Sequence, residues 1–129
     1  MNVKNILTAM GAILGLQSIG LFFGAEAIST EAFAALNPDE TGIAIGAKMH
    51  EVVGVINLMV AIILLSARNI DPAAGAKVLM GASIGLLVTL AHGFYNLFAT
   101  ETKPPIPLLA IMTILMILGF VAAKKESNA

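Results

Sequence analysis

The sequence predicts an all-α fold: a four-helix transmembrane bundle, up-down-up-down, with both termini on the same side. The first reason is four apolar stretches, each close to the roughly 20 residues that a helix needs to cross about 30 Å of hydrocarbon. The second is composition, with 58% apolar and 12% charged residues against about 45–50% and about 25% in soluble domains. We therefore expect residues 1–129 to form a single integral membrane domain, with spans at about 6–24, 43–66, 78–98 and 106–123.

Composition and missing motifs exclude several functions. The net charge of −1 gives no basic surface for nucleic acid. Cysteine is absent, which excludes disulfides, thiolate metal sites and a cysteine nucleophile. The sequence has no Walker phosphate loop, no H-E-x-x-H and no G-x-S-x-G. An enzyme is therefore not the favoured interpretation.

The first span, Ile6–Gly24, is almost entirely apolar. A second interpretation of this segment is a signal peptide, because Lys4 supplies a basic start and Ala25-Glu26-Ala27 resembles a cleavage site. The loop that follows, residues 25–41, is the longest in the chain. Within it, Ser29 or Thr30 is expected to cap a short helix that runs to about Leu36.

Two cap-plus-proline patterns predict where the second and third long helices begin. Asn37-Pro38-Asp39-Glu40 suggests a helix with Asn37 as the N-cap, running to about Ala67. After a tight turn at 68–70, Asp71-Pro72 suggests a third helix that runs to about Phe98. A proline-rich loop precedes the fourth helix, which is expected to end at Lys124-Lys125.

The distribution of basic residues predicts orientation, because cytoplasmic loops are enriched in lysine and arginine. One side of the bundle carries five of them and the other side two, so both termini are expected in the cytoplasm and the protein in the cell inner membrane. The five are Lys4, Arg68, Lys77, Lys124 and Lys125, and the two are Lys48 and Lys103.

Glycine pairs spaced four residues apart mark faces where helix backbones can approach closely in lipid. Packing within the bundle is the favoured interpretation, and an interface between copies of the chain is the alternative. The pairs are Gly11/Gly15, Gly20/Gly24, Gly42/Gly46 and Gly81/Gly85.

Two histidines inside the second and third spans are the main indication of chemistry, since ionisable groups are costly in the bilayer. His50 and His92 are about equally far from the turn near Ile70, so an antiparallel hairpin places them at one height. His50, Gly54, Asn57 and Ala61 share one helix face. A matching face on the third helix, Gly81, Gly85, Thr89, His92 and Asn96, is expected to pack against it. Glu51 is expected at the mouth of the bundle or paired with Lys48. A single polar layer is predicted from His50, His92, Gln17, Glu51, Asn57, Tyr95, Asn96 and Thr113.

Several uses of this histidine pair stay open. The imidazoles could hold a haem b as axial ligands, or a metal with further donors such as Glu51, Met49 and Met112. They could instead bind a quinone or relay protons. The alternative without a ligand is a hydrogen-bonded layer that fixes helix register.

The overall plan resembles the DoxX-like group of small bacterial four-helix membrane proteins. The resemblance is carried by Lys48-Met49-His50-Glu51, by the turn at 67–72 and by Leu90-Ala91-His92-Gly93. It implies a four-helix membrane fold and an association with quinol-oxidising complexes, and it assigns no site residue.

Three classes of function follow. The preferred one is a small membrane subunit or accessory protein that acts through helix–helix contacts with itself or with a larger membrane complex. The second is a redox or ligand-binding protein with a site at His50 and His92. The third is an oligomeric channel or transporter.

Overall fold

A computed structural model describes residues 2–128. These residues form five α-helices, and four of the five are long and apolar enough to cross a membrane. The prediction of an all-α, multi-pass membrane fold is therefore confirmed. The helices are α1 (Val3–Phe23), α2 (Ala25–Ala32), α3 (Glu40–Ala67), α4 (Pro72–Ala99) and α5 (Ile106–Ser127), with one turn of 3₁₀ helix at Ala34–Leu36.

Aspartate side chains cap the N-termini of the two longest helices. Asp71 caps α4 as predicted: its carboxylate accepts from the Ala74 N–H at 3.0 Å, and Pro72 follows at the first helical position. The predicted cap of α3 at Asn37 is wrong. Asp39 is the cap, because its carboxylate accepts from the Gly42 N–H at 2.7 Å.

Asn37 instead ends the 3₁₀ turn in the left-handed conformation, with φ of 47°. Asparagine tolerates this conformation better than other non-glycine residues. The short helix also differs from the prediction, because it begins at Ala25 and contains Ser29 and Thr30 in its interior. The Ser29 hydroxyl is buried and donates to the Ile43 carbonyl oxygen at 3.1 Å, which ties α2 to α3.

Helix α1 is the centre of the bundle and contacts all three other long helices. Leu7 and Met10 are among its fully buried side chains. Cleavage near Ala25-Glu26-Ala27 would remove this central helix. The interpretation of the segment as a signal peptide stays a prediction.

Two helix pairs carry most of the packing, α1 with α3 and α4 with α5. In the first pair Gly11 packs on Leu65, and Gly54 packs on Leu21. In the second pair Gly93 meets Leu109. Gly119 of α5 meets Ser83 of α4. In each pair, residues later in one helix contact residues earlier in the other, so the two helices of a pair run in opposite directions. The full up-down-up-down order and the shared side of the termini stay predictions.

Helices α3 and α4, although consecutive, share few contacts. The expected packing of their two small-residue faces is therefore wrong. Gly54 and Ala61 lie against α1, where the Ser18 hydroxyl donates to the Gly54 carbonyl oxygen at 2.7 Å. Helical periodicity identifies a face but not its neighbour, and here the neighbour is α1 and not α4.

The outer surface of the bundle is apolar over long stretches, most of all on α3. Such a surface is costly in water and suits hydrocarbon. Exposed large apolar side chains on this helix include Ile45, Val52, Val55, Met59, Ile62 and Ile63. The lipid bilayer is thus the environment that this surface fits.

Candidate functional site

A cleft of about 350 Å³ opens between α3 and α4 where the two helices fail to pack. We call this the α3–α4 cleft, and its lining includes Asn57, Gly81, Gly85 and Thr89. Leu14 of α1 and Met112 of α5 also line it. It is largely apolar, with the Asn57 amide as its strongest hydrogen-bonding group.

Gly81 and Gly85 form an open face in this cleft. A Cβ atom added to either residue would meet nothing within 4 Å. The pair Gly11/Gly15 behaves differently, since a Cβ added to Gly11 would lie 2.7 Å from Cγ of Leu65. The sequence pattern is shared, and only one of the two faces is filled by the chain itself.

A second cavity, of about 380 Å³, is bounded by α2, α3, the end of α4 and the loop before α5. We call it the His50 cavity. His50, Asn96 and Lys103 are the polar groups in it with capacity for a ligand, and Phe33 forms part of its wall. The Phe33 and His50 rings lie 6.2 Å apart at a tilt of 49°.

The two histidines hydrogen-bond within their own helices. His50 is half-buried, and its Nδ1 lies 2.8 Å from the Gly46 carbonyl oxygen. His92 is exposed, and its Nε2 lies 3.2 Å from Nδ2 of Asn96. His50 lines the cavity that bears its name, whereas the residues that line it do not include His92. Asn96 is the link between them, because it bonds to one histidine and shares a cavity with the other.

A third cavity, of about 580 Å³, lies on the other side of the start of α3. We call it the Glu51 cavity. Its lining includes Glu26, Glu40, Glu51 and Lys48. Lys48 Nζ contacts the two carboxylate oxygens of Glu51 at 2.7 Å and 3.0 Å, so the predicted pairing is confirmed. Within residues 2–128, no three histidine or acidic side chains gather in a way that would hold a metal ion.

The other residues of the predicted polar layer are dispersed. Gln17 is half-buried on α1, and its Oε1 is buried with no hydrogen-bond partner among the described residues. Tyr95 is 60% exposed. Thr113 donates to the Leu109 carbonyl oxygen of its own helix at 2.7 Å. The structure therefore brings His50 and Asn96 to one cavity, with His92 bonded to Asn96. Asn57 lies in a separate cleft, and the other predicted residues lie apart. Of the two methionines considered as metal ligands, Met112 is buried and Met49 is 64% exposed.

The sequence does not predict Lys103 and Phe33 as neighbours of His50. Both lie outside the predicted spans, in segments where periodicity gives no facing direction. The available signal was the position of Lys103, a lone basic residue directly before Pro104 and Pro105 in a short loop.

No family model, curated protein or solved structure matches the chain. The resemblance to DoxX-like proteins therefore stays a prediction, and the geometry of the cleft and cavities carries the functional argument.

Proposed function

We propose that this protein is a small membrane subunit that assembles with a second copy of itself through the α3–α4 cleft. One observation carries the proposal: among residues 2–128, no atom lies within 4 Å of a Cβ added to Gly81 or Gly85. Helices associate in lipid mainly through close van der Waals packing and interhelical hydrogen bonds, and small residues permit the close approach. An open glycine pair beside a cleft offers such a surface.

The chemistry of the cleft suits a twofold, self-complementary contact. In such a contact each copy presents the same patch to the other. The Asn57 side chain has both donor and acceptor groups, so an asparagine on one copy can pair with the same asparagine on the other. An amide facing hydrocarbon gains from such a partner. The glycine face and the amide line one cleft.

Disulfide trapping in native membranes tests this proposal, because the chain has no cysteine of its own. Gly85→Cys places a thiol in open space at the proposed contact. We expect it to form a disulfide-linked dimer on mild oxidation, since a disulfide requires Cα atoms within about 7 Å. Ile114→Cys, on the exposed surface of α5, is the matched control and should stay monomeric. Equal cross-linking of both variants would contradict the proposal.

Assembly into a larger membrane complex is the alternative use of the same face, and it is the role that the DoxX-like resemblance implies. The trapping experiment separates the two. A Gly85→Cys dimer of twice the chain mass supports self-association, whereas an absence of dimers in native membranes contradicts it. An oligomeric channel stays a prediction that would require this same assembly.

A redox or ligand-binding role for His50 and His92 is the second candidate. It is favoured by Asn96, which bonds to His92 and lines the cavity beside His50. The test is an absorption spectrum of the native protein before and after reduction with dithionite. A Soret band with sharp reduced α and β bands, lost in His50→Ala and His92→Ala, would support haem b. A featureless spectrum would contradict it.

We also propose that both termini face the cytoplasm. Lys4 and Arg68 line one crevice at the end of the bundle where the chain starts, which agrees with a basic cytoplasmic face. Single cysteines at Glu101 and Ser127, both exposed, provide the test. A membrane-impermeant maleimide applied to intact spheroplasts should label Glu101→Cys and leave Ser127→Cys unlabelled. The opposite labelling would reverse the orientation.

A further inference from the structure

The His50 cavity has walls that are fastened together by hydrogen bonds. The Lys103 backbone N–H donates to the Ala32 carbonyl oxygen at 3.2 Å, which joins the loop before α5 to α2. Thr100 donates its hydroxyl to the Asn96 carbonyl oxygen at 2.9 Å and lies 2.7 Å from the Thr102 hydroxyl. Because these hydroxyl protons are engaged within the loop, the threonines shape the cavity and leave ligand contacts to other groups.

The cavity favours an anion. Lys103 is the one charged residue among the described residues that line it, and none of them is Asp or Glu. Its ammonium lies 3.4 Å and 3.5 Å from two backbone carbonyl oxygens, at the long limit of hydrogen bonding. It therefore retains capacity for a shorter contact with an oxyanion. The Asn96 amide gives one N–H to His92 and has a second N–H to offer.

His50 offers the complementary group, a hydrogen-bond acceptor. A carbonyl oxygen accepts only, so the 2.8 Å contact with Gly46 O places a hydrogen on Nδ1. In the neutral imidazole Nε2 is then an acceptor, which suits a hydroxyl group of a ligand. The cavity thus combines a cation and an amide donor for an anion with an acceptor for an alcohol.

The surroundings select a lipid over a free solute. Apolar side chains of Ile28, Phe33 and Pro105 share the lining with the polar groups. The cavity lies where α4 ends and α5 begins, at the ends of two membrane-spanning helices. The ends of membrane-spanning helices are where lipid head groups meet the hydrocarbon.

We infer that the His50 cavity binds the head group of an anionic phospholipid whose phosphodiester carries a hydroxylated alcohol, as in phosphatidylglycerol. The phosphate accepts from Lys103 Nζ and Asn96 Nδ2, and an alcohol hydroxyl donates to His50 Nε2. This inference is independent of the proposed self-association, because the cleft and this cavity share no lining residue.

Native mass spectrometry of the full chain in nonionic detergent tests the inference with four probes. Phosphatidylglycerol, phosphatidylethanol and phosphatidylcholine of identical acyl chains vary the charge and the hydroxyl separately, and free glycerol phosphate lacks the tails. We expect phosphatidylglycerol to bind about tenfold more tightly than phosphatidylcholine, because phosphatidylcholine lacks the hydroxyl that donates to His50 and carries an ammonium group that repels Lys103. Phosphatidylethanol should bind between the two, and glycerol phosphate should not compete.

Two substitutions locate the site, with one control. Lys103→Gln should weaken phosphatidylglycerol binding about tenfold. Lys48→Gln removes the same charge from a lysine that does not line this cavity and should leave the affinity unchanged. His50→Phe should abolish the preference for phosphatidylglycerol over phosphatidylethanol. Thermal unfolding of each variant separates loss of binding from loss of fold.

Three results would overturn the inference. They are equal effects of Lys103→Gln and Lys48→Gln, no preference for phosphatidylglycerol over phosphatidylcholine, and competition by glycerol phosphate as strong as by the lipid. The last result would assign the cavity to a soluble phosphate ester. None of these results bears on disulfide trapping at Gly85, so the two proposals fail separately.

Discussion

The α1–α3 interface and the α3–α4 cleft contain the same kind of residues, but the first is closely packed and the second is open. Both present small residues at helical spacing, and both lie along α3. At the interface, a Cβ added to Gly11 or Gly54 would lie within 3.3 Å of atoms of the partner helix. In the cleft, a Cβ added to Gly81 or Gly85 would meet no described atom within 4 Å. Glycine spacing therefore marks where another helix can approach the backbone. The packing of the rest of the bundle determines whether a helix of the same chain does so.

The bilayer explains why such a cleft persists. In water, exposed apolar walls would drive α3 and α4 together, but lipid tails solvate apolar side chains as well as a helix does. Helix α4 is already fastened by α5, with Gly93 on Leu109, and by α1, with Gly75 on Val3. The closed interface thus belongs to the stable core of the molecule, and the open cleft is a surface that another molecule can contact.

Filling the closed interface should have the largest effect. Leucine at Gly54 would drive a side chain into Leu21, Phe22 and the Ser18 carbonyl oxygen, each 3.3 Å from the Cβ position. We expect Gly54→Leu to lower the free energy of unfolding by about 3 kcal/mol, at the upper end of overpacking effects. Gly81→Leu, the control in the cleft, should unfold as the parent does when measured as a monomer in dilute detergent. Equal losses of unfolding free energy in the two variants would contradict the difference in packing between the two regions.

A smaller effect of opposite sign is expected at Gln17 on α1, because its buried Oε1 has no hydrogen-bond partner within residues 2–128. An unsatisfied buried acceptor costs about 1–3 kcal/mol. Gln17→Met keeps the side-chain length and removes the acceptor, so it should raise the free energy of unfolding by about 1 kcal/mol. Unfolding in mixed detergent micelles measures it. A destabilised variant would show that Gln17 has a partner in the folded protein.

The smallest effect is expected from the hydrogen bond across the α1–α3 interface. Ser18→Ala removes the bond to the Gly54 carbonyl oxygen, and such intramembrane bonds are worth about 0.6 kcal/mol on average. Thr113→Val removes a bond within a single helix and should change the free energy of unfolding less. A larger loss of unfolding free energy in Thr113→Val than in Ser18→Ala, in the same assay, would contradict a stabilising role for the bond between α1 and α3.

Helix positions could be predicted from the sequence because they depend on local chemistry. The Asp71-Pro72 start, the end of α3 at Ala67 and the four apolar spans follow from caps, proline and hydropathy. The sequence predicts the N-cap of α3 at Asn37, with Asp39 in the first turn, whereas the structure starts the helix after Asp39. Only the geometry shows that the Asp39 carboxylate reaches the Gly42 N–H.

Helix neighbours could not be predicted, because periodicity has no information on which helix faces which. The sequence predicts that the face of His50, Gly54 and Ala61 packs on the next helix, α4. In the structure Gly54 and Ala61 pack on α1. The candidate site was affected most. His50 shares its cavity with Asn96, which the sequence predicts in the polar layer, and with Lys103, which the sequence does not predict there.

The mass of the assembled protein tests the central claim most directly. Light scattering of the detergent-solubilised protein, with the detergent mass subtracted, should give a dimer for the parent chain and a monomer for Gly85→Leu. Thermal unfolding of Gly85→Leu should show an intact fold, because its side chain enters open space. A monomeric parent in both detergent and lipid nanodiscs, or a dimer that Gly85→Leu leaves unchanged, would contradict assembly through the α3–α4 cleft.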